Sequence, residues 1–353
     1  MLHIDLQNKW VAKAHREHLK YVYCRIRKKL TGETCGDSAC GVCAQPSHII
    51  KGLPHSLDAV LTDRNTLETL IGGSPDDLQN LNELIWFEMI PDFNWDEYNL
   101  YLPVRDKELK KLSDDQQYLV YKYDRFYRIQ LRIIDYDTWF QNKDNEPRYD
   151  AYRLAVNLDR RTCTYCNRIW TTTIKNRHNK KVMRANYDHW FPQTKFPLLA
   201  LSFCNLIPSC TVCNSSVKND TNYSLATHMH PYVDMDALSR FQYSYDFFRS
   251  TNTYQIKIKS GFGDTKAART YRDMKLQDIY DAHHAELIDM INIREAYSDK
   301  YIERMMLNFK DAGLTYEEVY KMAFGVEYLE DHYFKKPLSK FKKDILTELK
   351  LAR

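Results

Sequence analysis

Asp188 and His189 are adjacent in the chain, and Asn214 directly follows a Cys pair downstream. Consecutive residues of an extended strand point to opposite faces, so at a strand end an Asp-His pair can diverge, one side chain to a metal and the other to a water. Hydrolysis of a phosphodiester needs both functions: a base that makes water nucleophilic, and a cation that carries the charge developing on the phosphorane and the leaving oxygen. His189 suits the base, because an unperturbed imidazole titrates near pH ~6.5 and accepts a proton close to neutrality. Asp188 and Asn214 suit Mg2+ or Mn2+, a hard cation that takes a few oxygen ligands and keeps several waters.

Two Cys pairs bracket this chemistry. Cys163-Thr-Tyr-Cys166 precedes it and Cys210-Thr-Val-Cys213 follows, with 43 residues between Cys166 and Cys210. Four thiolates in a tetrahedron are the ligand set of a structural zinc, and two such knuckles meeting across a folded segment supply them. The separation exceeds that of an ordinary ribbon, so the intervening segment is expected to fold as a unit between the knuckles. Away from that setting, Asn205 and Asn214 are plain turn or cap residues, because Asn bonds its own backbone readily. Cys204, outside both pairs, reads as a small buried hydrophobe. His178 reads as surface, and His228 and His230 as a loop edge.

These residues carry a resemblance. The run Cys163-Thr-Tyr-Cys166-Asn167-Arg168, the run from Tyr187 through Asp188, His189, Trp190, Phe191 and Pro192 to Pro197, the run Asn205-Leu-Ile-Pro208-Ser-Cys210-Thr-Val-Cys213-Asn214, and Lys218 resemble the HNH endonuclease family. The match is to a bacterial branch with a DH-x-x-P-x-x-x-x-P segment, an NLIPSC-x-x-CN segment and a nearby Lys. It covers residues 161–220, with a looser likeness through His230-Pro231-Tyr232, residues 276–280 and residues 337–345. The resemblance implies a ββα-metal finger: two strands carrying Asp188-His189 and Asn205, then a helix opening near Cys213-Asn214. It implies His189 as general base, Asp188 and Asn214 as ligands of the catalytic ion, and Asn205 as the residue that fixes the loop orienting His189. Asn214 stands where the founding pattern has His. Bacterial proteins of this branch are often encoded beside an ATPase and act in defence against phage, which implies such a partner here.

Charge fits a polyanionic substrate locally rather than globally. The whole chain has 51 Lys and Arg against 47 Asp and Glu, but residues 151–220 hold 11 basic and 3 acidic side chains, while residues 51–150 hold 12 and 20. Phosphate backbones favour such a basic surface through counterion release. Arg168, Lys175, Arg177, Lys180, Lys181, Arg184, Lys195 and Lys218 are the expected DNA contacts, those of 175–181 on a hairpin ahead of the Asp-His strand. No base-reading motif is visible. A zinc-ribbon nucleic-acid-binding scaffold without catalysis would share the Cys pairs and the basic patch, and an RNA-cleaving toxin could use the same finger.

A second Cys group lies near the start of the chain. Cys40 and Cys43 form a knuckle, Cys35 adds a third thiol, and either Cys24 or His48 completes four zinc ligands. The spacing of Cys35, Cys40 and Cys43 also matches plant-type iron-sulfur proteins, whose distant fourth Cys is not evident here. Free or packed thiols are the plain alternative.

The elements that must hold these sites are mostly helical. A basic amphipathic helix is expected over 8–30, ended at Thr31-Gly32. Others open at Thr62-Asp63, at Ser74-Pro75, and at Ser113 with Gln116, the last running to about residue 142. Residues 254–259 alternate as a strand; one or two helices follow over 276–307, another begins at Thr315 with Glu318, and a last spans 339–351. The expected fold class is therefore α+β, mainly helical, with a small zinc-stabilised ββα-metal finger. Three segments are expected: a helical region at 1–148, the nuclease domain at 149–235, and a strand-turn plus helical region at 236–353, with the first boundary in the polar stretch 142–149. No run of 18 apolar residues occurs and the N-terminus lacks a signal-peptide profile. A cytoplasmic protein with no membrane partner is expected, in which Cys pairs ligate metal rather than form disulfides.

Overall fold

The basic helix at the start of the chain has both of its expected ends. Asn8 accepts from the Trp10 N–H, and Gly32, at φ 79°, closes α1 (Lys9–Thr31) by donating to Lys28 O. Its buried stripe of Val11, Ala14, His18, Val22 and Ile26 recurs every three or four residues, the spacing that puts side chains on one face. The computed structural model to which α1 belongs describes residues 1–142, 148–261, 263–297, 301–309 and 312–352. The expected boundary over 142–149 lies largely outside the described residues.

Six more helices follow before the central segment. They are α2 (Gly41–Ala44), α3 (His55–Thr62), α4 (Arg64–Gly72), α5 (Pro75–Met89), α6 (Trp95–Tyr101) and α7 (Asp114–Ile134). Asp63, Ser74, Asn94 and Ser113 cap α4 to α7, and Ser74 and Ser113 form reciprocal capping boxes with Asp77 and Gln116. The aromatic run continues past α7 as a π-helical turn, Tyr136–Phe140, and α8 (Ala151–Leu158) starts at the Asp150 cap.

Among the described residues the strands come as three antiparallel pairs. β1 (Ile174–Lys175) and β2 (Lys181–Met183) make the expected hairpin; β3 (Asn186–His189) pairs with β4 (Leu206–Ser209); β5 (Phe241–Phe248) pairs with β6 (Thr253–Ser260). Strand β5 went unforeseen, although Phe241, Tyr243, Tyr245 and Phe247 alternate with Gln242, Ser244 and Asp246. Then come α9 (Thr265–Asp273), α10 (Leu276–Asp281), α11 (His284–Ala296), α12 (Tyr301–Asn308), α13 (Tyr316–Phe324) and α14 (Ser339–Glu348). Where one or two helices were expected over 276–307 there are three, broken first at Ala282-His283. The Thr315-Glu318 capping box of α13 forms as expected.

The protein is thus α+β and mainly helical; most of its buried apolar side chains form one core reaching from Met1 to Leu351, beside a small separate cluster of Leu2, Leu238 and Tyr333. Helices from both ends of the chain pack around the central segment. From the N-terminal side, α1 packs on α4 and α8, and α7 lies on a 3-10 turn, Pro197–Leu201, between the two strands. From the C-terminal side, α14 lies on β5, where Asp344 accepts from the Tyr243 N–H at 2.9 Å. Asn167 links the first Cys knuckle to α14. Held at φ 49°, it donates from Nδ2 to Thr162 Oγ1 and Tyr333 O, both at 2.9 Å, while its carbonyl accepts from Leu338 N–H at 2.6 Å. Among the described residues no helix is long and apolar enough to cross a membrane.

Candidate metal centres and the Asp188-His189 site

Cys163 and Cys166 sit in a tight turn: Cys163 N–H donates to Ile169 O and Asn167 N–H to Cys163 O. Cys210 directly follows β4, and Cys213 is the second residue of a π-helical turn, Val212–Lys218. Thr164 N–H donates to Pro208 O at 3.1 Å, which brings the first knuckle against β4 and hence against the second. The result is four buried thiols whose sulfurs all lie within 4.8 Å of one another. Such a set can hold a zinc ion, and the segment between the knuckles carries the β1–β2 and β3–β4 pairs.

The second Cys group also closes. Cys24, Cys35, Cys40 and Cys43 have their sulfurs within the same 4.8 Å limit, so this group too can hold zinc. The fourth ligand is Cys24, supplied from the buried face of α1; His48 is exposed and stands outside the group. The two centres differ in access. All four thiols of the central group are buried, whereas Cys35 is exposed.

Asp188 and His189 close β3, opposite Ile207 and Leu206. Asp188 is buried and accepts from the Tyr165 hydroxyl at 2.5 Å; Lys218 Nζ lies 3.3 Å from each of its carboxylate oxygens and 2.7 Å from the His189 carbonyl. Burial pushes the Asp188 carboxyl up, against the pull of Lys218 and of the Tyr165 hydrogen bond. A cation beside it would offset that cost. A Mg2+ or Mn2+ ion, which takes few protein ligands and fills the rest of its shell with water and phosphate oxygen, would have to share this carboxylate with Lys218 and Tyr165.

The His189 ring is held on two sides. Nε2 lies 3.0 Å from Ala200 O, which can only accept, so Nε2 carries the proton and Nδ1 the lone pair. The Tyr136 ring meets it edge-on at 4.5 Å. Burial lowers the imidazole pKa to about 4, the Ala200 carbonyl opposing this and Lys218 adding to it. A neutral imidazole with one nitrogen anchored and the other available can accept a proton from water.

Asn205 holds the loop that carries the Ala200 carbonyl. Fully buried, it accepts from Phe191 N–H at 2.6 Å and donates to Leu199 O at 2.8 Å and Phe191 O at 3.1 Å. The loop from His189 to Leu201 is therefore tied at both ends to one amide side chain. The expectation placed Asn205 on a strand; it ends a 3-10 turn, Phe203–Asn205, just before β4. Asn214 is half-buried on the turn after Cys213, a turn that packs on β3.

Several expected DNA contacts lie elsewhere than at the surface. Lys218 is fully buried against Asp188, and Lys181 pairs with Asp150 at 2.6 Å with a tenth of its side chain exposed. Arg184 is half-buried, donating to Gln141 and to the Ala185 carbonyl; Arg168 and Lys195 are half-buried too, Lys195 over the Trp95 ring. Net charge along a sequence reports none of this burial. Lys175, Arg177 and Lys180 are exposed on the hairpin, as expected. His178 is exposed, Cys204 is buried, and His228 pairs with Asp273 at 3.0 Å.

Four contributions went unforeseen: the Tyr165 hydroxyl, the Tyr136 ring, the Ala200 carbonyl and the inward turn of Lys218. Tyr165 alone carried a signal, being one of the two residues between the cysteines of the first knuckle.

No known family model matches the chain, and no solved structure does. Among characterised proteins it is similar to Protein ea31 of Escherichia phage lambda, with 23% identity over 239 residues, covering 58% of this chain and 77% of the phage protein.

Proposed function

We propose that the chain is a metal-dependent endonuclease of the HNH type, hydrolysing DNA phosphodiester bonds. The observation that carries this reading is the pairing, at the end of one strand, of a buried carboxylate with a neutral imidazole anchored through Nε2 on Ala200 O. Strand β3, strand β4 and the turn after Cys213 follow in the order the ββα-metal finger requires, over a tetrathiol group that suits zinc. His189 Nδ1 takes the proton of the attacking water, and the Asn205-tied loop keeps the ring from rotating. Asp188, with Asn214 by the family resemblance, would hold a Mg2+ or Mn2+ ion, which supplies charge stabilisation to the phosphorane and the leaving 3′ oxygen. The product then carries a 5′ phosphate. The exposed hairpin cations Lys175, Arg177 and Lys180 supply phosphate contacts. By the same resemblance, the setting is phage defence in a bacterial cytoplasm with an ATPase partner.

The test is cleavage of supercoiled plasmid, single-stranded DNA and RNA with and without Mg2+ or Mn2+. Metal-dependent nicking that His189→Ala abolishes, with zinc content and DNA binding retained, is expected. Equal cutting by His189→Ala, or no cutting of any substrate, rejects the assignment.

One observation favours a second reading, a zinc-bound nucleic-acid scaffold without chemistry: Lys218 already stands as a cation on both oxygens of Asp188. Titration with Mn2+ separates the two, since a scaffold has no saturable site that Asp188→Asn removes.

A further inference from the structure

Away from the Asp188-His189 site lies a cleft of about 610 Å³, with three walls. The loop of the second Cys group forms one, through Ala39, Gly41 and Val42; α8 and its cap form another; the β1–β2 hairpin forms the third. Among the described residues, Arg148, Arg153, Lys175 and Lys181 line it, with Asp150 as the one carboxylate. That carboxylate is committed already, to Lys181 at 2.6 Å and to the Arg153 N–H at 2.9 Å as the helix cap. Arg153 reaches Glu17 at 3.5 Å, with over half of its side chain still exposed. The cleft is therefore basic, and its cations come from separate walls.

It also has aromatic surface. Tyr21, stacked on Tyr149 with ring centroids 4.8 Å apart, and Tyr152 line the same cleft. Cations mixed with aromatic faces in a concave groove suit a single nucleic-acid strand, whose phosphates pair with the cations and whose bases stack on the rings whatever their sequence. A duplex presents a convex backbone and would meet the rim alone.

The cleft leads toward the candidate site. Lys181 precedes Asp188 by seven residues, a span of at most about 25 Å on an extended chain. Between them the Arg184 guanidinium lies 5.9 Å from the Tyr152 ring on the cleft wall and 5.5 Å from the ring of Tyr187, the neighbour of Asp188. We infer that this cleft binds the single strand that continues from the scissile phosphate, so that the enzyme holds an unpaired strand beside its cut site. The inference rests on the nucleic-acid reading above.

The experiment measures binding rather than cutting, in a His189→Ala background, using a fluorescent single-stranded oligonucleotide and the duplex of the same sequence over a range of salt. The variant is Arg153→Glu with Lys175→Glu, both exposed side chains. Single-strand affinity should fall at least about tenfold, and the slope of log K against log salt should flatten by about 1.4, the value for two lost phosphate contacts on a single strand. Duplex affinity should change less. Arg269→Glu, an exposed charge reversal outside the cleft lining, should leave the single-strand slope in place. Zinc content and a thermal melt check folding, and Arg153→Gln with Lys175→Gln gives the same slope change should the reversal misfold. An unchanged slope, or a loss confined to the duplex, overturns the inference. Strand binding through the cleft by a protein that cuts nothing would sink the nuclease reading and leave the cleft as a single-strand site without a cut site; cutting with an unmoved slope would keep the nuclease and overturn the cleft.

Discussion

The Tyr165 hydroxyl donates to Asp188 Oδ2 at 2.5 Å, and Tyr165 is itself one of the two residues between Cys163 and Cys166. The first Cys knuckle and the carboxylate proposed to bind the catalytic ion are thus joined by one side chain.

Tyr165→Phe tests that link. A hydrogen bond to a charged group contributes about 1.5–3 kcal/mol, and losing it leaves the buried carboxylate with Lys218 alone. Zinc content should be unchanged, while cutting falls by about tenfold or more and needs a higher Mn2+ concentration for half-maximal rate. If the Mn2+ dependence stays put and thermal stability alone drops, Tyr165 merely packs.

Zinc stoichiometry separates the two Cys groups. Elemental analysis of the purified chain should find two zinc ions, one for each tetrathiol group. Cys40→Ser should reduce the count to one and His48→Ala should leave it at two, because Cys24 completes the group. The ion next to the exposed Cys35 should pass to a chelator before the buried one. Retention of two ions by the Cys40 variant would refute the second centre.

Asn205→Ala removes three hydrogen bonds from a fully buried position and orphans the Phe191 N–H and the Phe191 carbonyl, while the Leu199 carbonyl keeps the Ser202 N–H. Each buried group left unpaired costs about 1–3 kcal/mol, so a stability loss of about 2–4 kcal/mol in urea unfolding is expected. Because the same loop presents Ala200 O to His189, kcat should fall more than KM rises. A variant that loses stability but keeps kcat would show that the loop and the imidazole are uncoupled.

What could be read from the chain and what could not divide along a physical line. Thiols four to a group and an Asp-His pair announce themselves, since few other roles demand those types at those spacings. Asn205 was placed by resemblance, and its three hydrogen bonds are the kind of contact such a role needs. Lys218 was misjudged as surface because a charge count carries no depth, and only the fold shows an ammonium sealed against Asp188. Cys24 and His48 could not be ranked, since the choice depends on which face of α1 turns inward. Strand β5 was missed although Phe241, Tyr243, Tyr245 and Phe247 share one face; their burial fades from Phe241 and Tyr243 to the exposed Phe247 as the strand runs out.

His18 predicts how the scaffold responds to acid. Buried on α1, it donates from Nε2 to Leu201 O at 2.7 Å and accepts at Nδ1 from the Tyr149 hydroxyl at 2.9 Å, tying the first helix to the loop beyond Ala200. Burial lowers its pKa from 6.5 to about 4, the Leu201 carbonyl opposing the shift. The folded value lies below the unfolded one, so below pH ~6.5 the unfolded chain binds the proton more readily and stability drains away as pH falls toward ~4. Between pH ~7 and ~5.5 this one group should cost about 1.2 kcal/mol. His18→Gln lowers stability at neutral pH but removes that titration, so the difference between urea unfolding at the two pH values should shrink by about that amount. An equal pH dependence in wild type and variant would mean that other groups, such as the buried His230, carry the acid response instead.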